Sequence, residues 1–411
     1  MLMAVFVATV LISNICGTPV DAGLLGACLG TLTYQLITGF KSPVFISNSG
    51  ATVSAVIGAL ALGTTPNYFA VFIGGLVVLA IYAGFAMFIK WRGIEALNKL
   101  LPPYIVGPIT IVIGLNLAGF ISTYVGLGGT TSNINVLVAI AVMLVIAMSS
   151  HYFKGFLKTI PFLLGLVFGF IVCLILELTG VASYGIIDKF AAIDSLFSVP
   201  SFAFLKWSDG IKSFDLKTLL DVVILFAPVS ICALCEHYSD HVVMSNIIGH
   251  DLTAQPGLHR TLVGDGTASV IGTIFGGQPN TSYGESTAMV GFSRVASVKV
   301  VSLAAIMMGL LAFIEPIQVF INAVPSCVFG GCAMILYGYI ACSGLKTIMR
   351  NRIDLEDNKN LIIVSVILTV GVSGIWLFTN SFAGVSLAMV LGVILNLVLK
   401  GINKSADLQE K

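Results

Sequence analysis

Long apolar runs alternate with short polar breaks along the whole chain. Fourteen runs are readable, at about 1–16, 20–38, 43–62, 67–89, 104–126, 133–150, 157–180, 217–247, 259–276, 279–297, 299–315, 319–345, 360–378 and 383–401. Most are close to the length of a helix that crosses a bilayer, and they lack the apolar–polar alternation of barrel strands. Met1–Ile15 carries no basic residue ahead of its apolar stretch, so it reads as a span and not as a signal peptide.

The breaks carry a second pattern. Sixteen of the twenty lysines and arginines fall at the ends of even-numbered spans, from Lys41 and Lys90 through Arg294 and Arg350 to Lys411. The other four, Lys189, Lys206, Lys212 and Lys217, lie in or beside one stretch, 181–216. Basic residues mark cytoplasmic loops. Both termini are therefore expected in the cytoplasm of a plasma-membrane protein, with 181–216 as the main external loop. One missed span would scramble this alternation.

Two runs begin irregularly. SPVFISNSGATVS opens the third and GGQPNTSYGEST opens the tenth, each near a proline, Pro43 or Pro279. Small, polar and β-favouring residues there predict backbone that is extended, not helical, over 43–50 and 278–285. Such backbone survives at membrane depth only inside protein or along a cavity. Paired broken segments in corresponding halves point to a transporter binding site. Span 3 of one seven and span 10 of the next match, and an odd number of spans per repeat makes the repeats inverted. The fold class expected is an all-α membrane protein of fourteen segments with short β-strands in spans 3 and 10.

Composition agrees with the pattern: 57% of residues are hydrophobic, 9% are charged, and mean hydropathy is +1.03. A soluble domain carries about 25% charge. A net charge of +1 gives no argument for nucleic acid. All eight cysteines fall in apolar stretches and read as packing residues. Cys232 and Cys235 form a CxxC without a second ligand pair at zinc spacing.

Against this background the acids stand out. Glu236 and Asp240 lie in ICALCEHYSDHVV, and Glu285 lies in GGQPNTSYGESTAM. Ionisable groups at membrane depth mark a substrate or proton path by default. Glu236 and Asp240 are four apart and share one helix face. Two carboxylates so close in a low dielectric should not both ionise, which makes the pair a candidate proton carrier. Two bland readings compete. Structural pairing with His237 or His241 is one. A membrane-embedded metal site is the other, but the histidines lie about 100° around the helix from the acids, and no third ligand is evident. Asp265, among small residues in LVGDGTAS, reads better as a tie between helices than as a substrate contact. WRGIEALNKLL (91–101) reads as an amphipathic surface helix.

The stretch from Glu236 to Arg294 resembles the nucleobase–cation symporter family, in particular its uracil permease branch. Glu-His on span 8, PGLHR before span 9 and PNTSYGE entering span 10 carry the likeness. VPSCVFGG and ILYG on span 12, FVATVL on span 1 and KSP before span 3 agree with it. The resemblance implies a core of residues 1–90 (spans 1–4) and 217–315 (spans 8–11). It implies a gate of 91–180 (spans 5–7) and 316–403 (spans 12–14), with 404–411 a cytoplasmic tail. It further implies import of a nucleobase by proton symport, with an elevator-like movement of core against gate. Glu236 would accept from the ring N–H groups, supported by Glu285. Backbone N–H groups near Gly284, Ser49 and Gly50 would meet the carbonyl oxygens. Tyr283, Tyr337 and Ala8 would line the pocket, and Asp240, Glu236 and Glu285 would handle the proton.

The chain departs from the family in three places. Asp240 stands where bacterial uracil members carry histidine. Ser286-Thr287-Ala288 replaces Asn-x-Gly after Glu285. Gly50 replaces an aromatic, which opens the pocket toward xanthine or other purines. The partners implied are a nucleobase, a proton, the lipid bilayer and, through the gate, a second copy of the chain. Neither enzyme activity, nor a cofactor, nor a metal is expected. An anion exchanger of the related sulfate/bicarbonate type fits less well. Its site should favour positive potential, whereas this one concentrates carboxylates. The short stretch after the last span also leaves no room for that type's C-terminal domain.

Overall fold

Helices dominate the computed structural model, which describes residues 1–93, 102–126, 133–191, 193–377 and 379–409. Seven described helices are long and apolar enough to cross a membrane: Val20–Ile37, Tyr68–Arg92, Pro103–Val125, Asn133–Tyr152, Pro161–Leu178, Leu216–Ile248 and Ser326–Arg350. Shorter apolar helices cover Val5–Cys16, Val298–Leu311, Asn358–Val372 and Val385–Leu399. The chain is a multi-pass membrane protein. The surface helix expected at 91–101 lies almost wholly outside the described residues.

Local chemistry sets the helix ends. Asn67 caps Tyr68–Arg92 by accepting from the Ala70 amide at 2.9 Å, and Lys90 and Arg92 sit against its negative C-terminal end. Asp215 starts Leu216–Ile248 in the same way, accepting from the Thr218 amide at 2.7 Å. Pro228 interrupts that helix and frees the Ile224 carbonyl. Ser386, on the last helix, donates to this carbonyl at 2.9 Å, so a half-buried orphan is satisfied from another helix.

Prolines and glycines also redraw several expected spans. The run at 319–345 is two helices, Glu315–Ala323 and Ser326–Arg350, because Pro325 holds Val324 extended. The Pro103–Val125 span is irregular at Gly119 and Phe120, between Pro103–Ala118 and Ile121–Val125. The 181–216 stretch contains helical turns at Ile186–Ala191 and Ser208–Lys212. It is pinned to the body by the Ser201 amide on Asp21 at 2.7 Å and by Trp207 packed on Phe72 at 4.4 Å. A hairpin of Trp376–Leu377 with Thr379–Ala383 had no clear signal in the sequence.

Packing divides the helices. Leu258–Phe275 lies against Tyr68–Arg92 and Val20–Ile37, and Leu216–Ile248 joins Tyr68–Arg92. Ser326–Arg350 lies against Pro103–Ala118 and Asn133–Tyr152, with Asn358–Val372 beside Pro103–Ala118.

Between these helices runs a short antiparallel ladder. Strand β1 (Ile46–Asn48) pairs with β2 (Asn280–Ser282) in the register Ile46–Ser282, Ser47–Thr281, Asn48–Asn280. An isolated two-stranded ribbon is marginal in water, and unpaired edges are intolerable in lipid. Side chains from neighbouring helices satisfy the edges here. Thr31 donates to the Ile46 carbonyl at 2.6 Å and accepts from the Ile46 amide at 3.1 Å. Gln35 donates to the Val44 carbonyl at 3.1 Å, and Ser269 donates to the Asn280 carbonyl at 2.5 Å. Asn280 donates to the Gly26 and Ala268 carbonyls at 2.9 and 3.2 Å. Glycine permits this seat: a Cβ on Gly30 would come within 2.2 Å of Asn280 Nδ2, and one on Gly272 within 2.6 Å of the Gln278 carbonyl oxygen.

Candidate functional site

Each strand feeds a helix. Ile46–Asn48 leads through Ser49 and Gly50 into Val53–Leu60, and Asn280–Ser282 leads through Tyr283 into Gly284–Ser293. First-turn amides have no partner within their own helix, and a helix N-terminus favours negative charge or carbonyl oxygens. The long Leu216–Ile248 helix passes the strand ends and presents Glu236 twelve residues before its last residue, about 18 Å along the axis.

A cavity of about 70 Å³ lies where these elements meet. Its walls include Glu236, Tyr283, Gly284, Glu285, Gly50 and Ala8, all singled out from the sequence. Glu236 is exposed to this space and makes no hydrogen bond among the described residues. Glu285 lies half-buried in the first turn of Gly284–Ser293. Tyr283 is buried, and its hydroxyl donates to the Asn48 carbonyl at 2.8 Å, so its ring, rather than its polar end, faces the cavity's contents. A Cβ on Gly50 would meet Ile340 Cδ1 at 3.5 Å and Ile12 Cδ1 at 3.8 Å. Two isoleucines therefore border the place an aromatic would occupy.

Asp240 stands one turn further along the helix, half-buried, and accepts from Ser282 Oγ at 3.1 Å. It touches β2 without lining the cavity. Ser49 and Tyr337 also fall outside the lining. The Ser49 amide donates to the Pro279 carbonyl at 2.9 Å, continuing the ladder, and so is not free for a ligand. Tyr337 is buried with an unpartnered hydroxyl, while its neighbours Leu336 and Ile340 reach the cavity. Thr281, Ser282, Ile12 and Ala51 complete the walls. Sequence reasoning did not name these four, although the polar run Asn280-Thr281-Ser282 was a visible signal.

The histidines turn away from the acids. His237 and His241 are fully buried about 100° around the helix from the acids, with ring centroids 4.0 Å apart. His237 Nδ1 lies 2.6 Å from Asp265 Oδ2, and His241 Nε2 lies 2.7 Å from the Tyr34 hydroxyl. Structural pairing of Glu236 or Asp240 with these histidines is thereby overturned; the helix rotation sends them to different neighbours. Asp265 ties the Leu258–Phe275 helix to Leu216–Ile248, as its small-residue surroundings suggested. Among the described residues no three His, Cys, Asp or Glu side chains form a metal cluster.

A larger cavity, about 500 Å³, opens between Asn14, Asn135, Lys189, Asn322 and Ser326. It has no carboxylate in its walls and lies apart from the strand ends.

The sequence of residues 1–379 matches the model described as the Permease family. The chain belongs to that family. Among its relatives, this permease is 35% identical over 417 residues to the uracil permease of Bacillus caldolyticus, covering 99% of this chain and 92% of that one. It is 34% identical over 433 residues to the uracil permease of Bacillus subtilis (strain 168), covering 100% and 93%. The fold also resembles the transmembrane domain of the cyanobacterium bicarbonate transporter BicA, with a TM-score of 0.61 at 14% identity over 96% of this chain and 94% of that one. At that identity the likeness speaks for the fold alone.

Proposed function

We propose that this permease is a secondary active transporter that imports a nucleobase, with uracil the best-fitting substrate, by proton symport. One observation carries the reading. Glu236 stands unpaired in a small cavity whose facing wall is built from the ends of two strands and the starts of two helices. A carboxylate only accepts, and backbone amides only donate. A flat neutral ring with N–H groups on one edge and carbonyl oxygens on another leaves few buried groups unpaired in that space. In this reading the ring N–H groups donate to Glu236, and the carbonyls accept from amides near Gly50 and Gly284. Glu285 supports the site, and Tyr283 and Ala8 pack the ring. Tyr337 backs the wall through Leu336. The uracil permeases at about a third identity over nearly the whole chain support the same class of substrate.

The proton is carried by the Glu236–Asp240 face, with Glu285 as the third acid. The fourteen runs form two inverted seven-span repeats, both termini are cytoplasmic, and 181–216 is external. Residues 1–90 and 217–315 form the moving core; 91–180 and 316–403 form the gate, which also holds a second copy of the chain. The packing of Leu258–Phe275 with Tyr68–Arg92, and of Ser326–Arg350 with Pro103–Ala118, supports that division.

Uptake of labelled uracil into proteoliposomes under an imposed inward proton gradient tests the reading, with unlabelled bases as competitors. Gradient-dependent uptake, displaced by uracil and not by xanthine, is the expected result. Displacement by xanthine would move the substrate to the purines, the direction in which Gly50 departs from the family. No uptake of any base would remove the reading.

A further inference from the structure

The buried side of the Leu216–Ile248 helix holds a chain of polar groups that substrate binding does not use. It begins at Thr281 of β2, whose hydroxyl donates to Asp265 Oδ2 at 3.4 Å. Asp265 Oδ2 lies 2.6 Å from His237 Nδ1, and both residues are fully buried. The His237 ring stacks on His241. His241 Nδ1 bonds the His237 carbonyl at 2.8 Å, and its Nε2 meets the Tyr34 hydroxyl at 2.7 Å. The Tyr34 hydroxyl lies 2.8 Å from Ser42 Oγ. Ser42 is buried, but Gly39, Phe40 and Lys41 immediately before it are exposed. The chain therefore runs from Thr281, which lines the cavity, to Ser42, the buried neighbour of an exposed turn.

The hydrogen inventory gives this chain two states. A carbonyl accepts only, so His241 Nδ1 must carry a proton. With a neutral ring, Nε2 is bare, Tyr34 donates to it, and Ser42 donates to Tyr34. With a charged ring, Nε2–H donates to Tyr34 and Tyr34 donates to Ser42. One added proton reverses every donor. We propose that His241 is a second proton-binding site, loaded from the Gly39–Ser42 turn through Ser42 and Tyr34 and sensed at the substrate cavity through His237, Asp265 and Thr281.

The transfer balances. A proton arriving at Ser42 Oγ displaces the hydroxyl proton to Tyr34 Oη, and the Tyr34 proton passes to His241 Nε2. Release runs the same steps backward. No hydrogen bond joins the two rings, so the signal beyond His241 is electrostatic. Two imidazolium ions stacked in a dry interior repel strongly, so charge on His241 keeps His237 neutral and alters its contact with Asp265. The titratable groups around the pair are Tyr34 on Val20–Ile37, Asp265 on Leu258–Phe275 and Tyr82 on Tyr68–Arg92, whose ring lies 6.5 Å from that of His237. Glu236 and Asp240 lie around the same helix, and Glu285 lies beyond β2. Among the described residues no lysine or arginine pairs with any of them.

The inference takes its readout from the transporter reading above. Uracil affinity is measured on purified, lipid-reconstituted protein across about pH 4 to 8, which extends the ordinary range of histidine titration to the acid side. Tyr34→Phe keeps the ring and removes the relay hydroxyl; Ser42→Ala removes the outlet; His241→Gln removes the titrating group. The expected result is a step in the affinity–pH curve that His241→Gln abolishes and that Tyr34→Phe abolishes or shifts by about one unit or more, about tenfold in proton affinity. Affinity on the plateau is retained. Should Tyr34→Phe fail to fold, Ser42→Ala and His241→Gln carry the same expectation. Curves superimposable on the wild type overturn the inference. Glu236→Gln and Asp240→Asn, run in parallel, separate the two ideas: uracil bound normally by Glu236→Gln overturns the transporter reading itself, whereas loss of binding there beside unchanged histidine-side curves overturns only the relay.

Discussion

The two sides of the Leu216–Ile248 helix place acids and histidines one residue apart in sequence and in opposite circumstances. Glu236 faces a cavity, exposed and without a hydrogen-bond partner among the described residues. His237, the next residue, is fully buried and held 2.6 Å from Asp265. Asp240 and His241 repeat the contrast a turn later, one bonded to a strand hydroxyl and the other to a tyrosine on a neighbouring helix. An ionisable group without a partner is costly at membrane depth, so a protein keeps one there only where it faces a cavity that a ligand can fill. A polar group that meets a partner on a neighbouring helix, by contrast, fixes how helices dock. The difference teaches that titratable residues in a membrane helix cannot be assigned a role as a group; each depends on what the adjoining elements bring to its face.

The largest effect is expected from removing a sealed partner. His237→Ala leaves Asp265 buried with only the 3.4 Å contact to Thr281 and empties the space of the imidazole ring, and should cost about 3–5 kcal/mol of stability. A large drop in thermal stability in detergent, read by tryptophan fluorescence or by loss of monodisperse protein on a sizing column, is the check. Stability equal to wild type would erase the contrast between the two sides. Next comes the open side. Glu236→Gln keeps the volume but puts a donor where an acceptor is needed, and should lose about 2–3 kcal/mol of uracil binding. Its thermal stability should change by only about 0.5 kcal/mol, as for substitutions away from packed features. Calorimetric titration with uracil beside a melting curve reads both values. Near-normal affinity would take Glu236 out of the site.

The smallest effect sharpens the boundary between the faces. Asp240 contacts β2 through Ser282 and stays outside the cavity lining. Asp240→Asn should leave binding and base exchange largely intact while reducing accumulation under a pH gradient by about tenfold, the weight of roughly one unit of proton affinity. Gradient-driven uptake is compared with counterflow in the absence of a gradient. Undiminished accumulation would move coupling elsewhere, with Glu285 next in line.

Much of this was legible in the chain. Apolar run lengths showed a multi-pass membrane protein, and Glu236 and Glu285 stood out because ionisable groups are scarce in such runs. The stretches around Pro43 and Pro279 read as extended, and Ile46–Asn48 and Asn280–Ser282 are the strands found there, but Gly284 and Glu285, read as extended too, open the helix Gly284–Ser293. Less was legible where packing decides. Ser49 seemed free to donate, but the ladder continues to Pro279 and takes its amide. Tyr337 was expected in the pocket, but the rotation of Ser326–Arg350 presents Leu336 and Ile340. The 319–345 run hid a break at Pro325 because both flanks are apolar.

By itself, the sequence determined what the chain must bury and which residues it could not bury without a reason. Composition dictates lipid as the solvent, and helical spacing dictates that Glu236 and Asp240 share one side while His237 and His241 share another. It could not determine the partners of those sides. That Asp265 meets His237, that Tyr34 meets His241, and that Thr31, Gln35 and Ser269 close the edges of a three-residue ladder are contacts between residues 9 to 207 positions apart. Periodicity constrains the face of an element; only the docking of one element on another decides what that face touches.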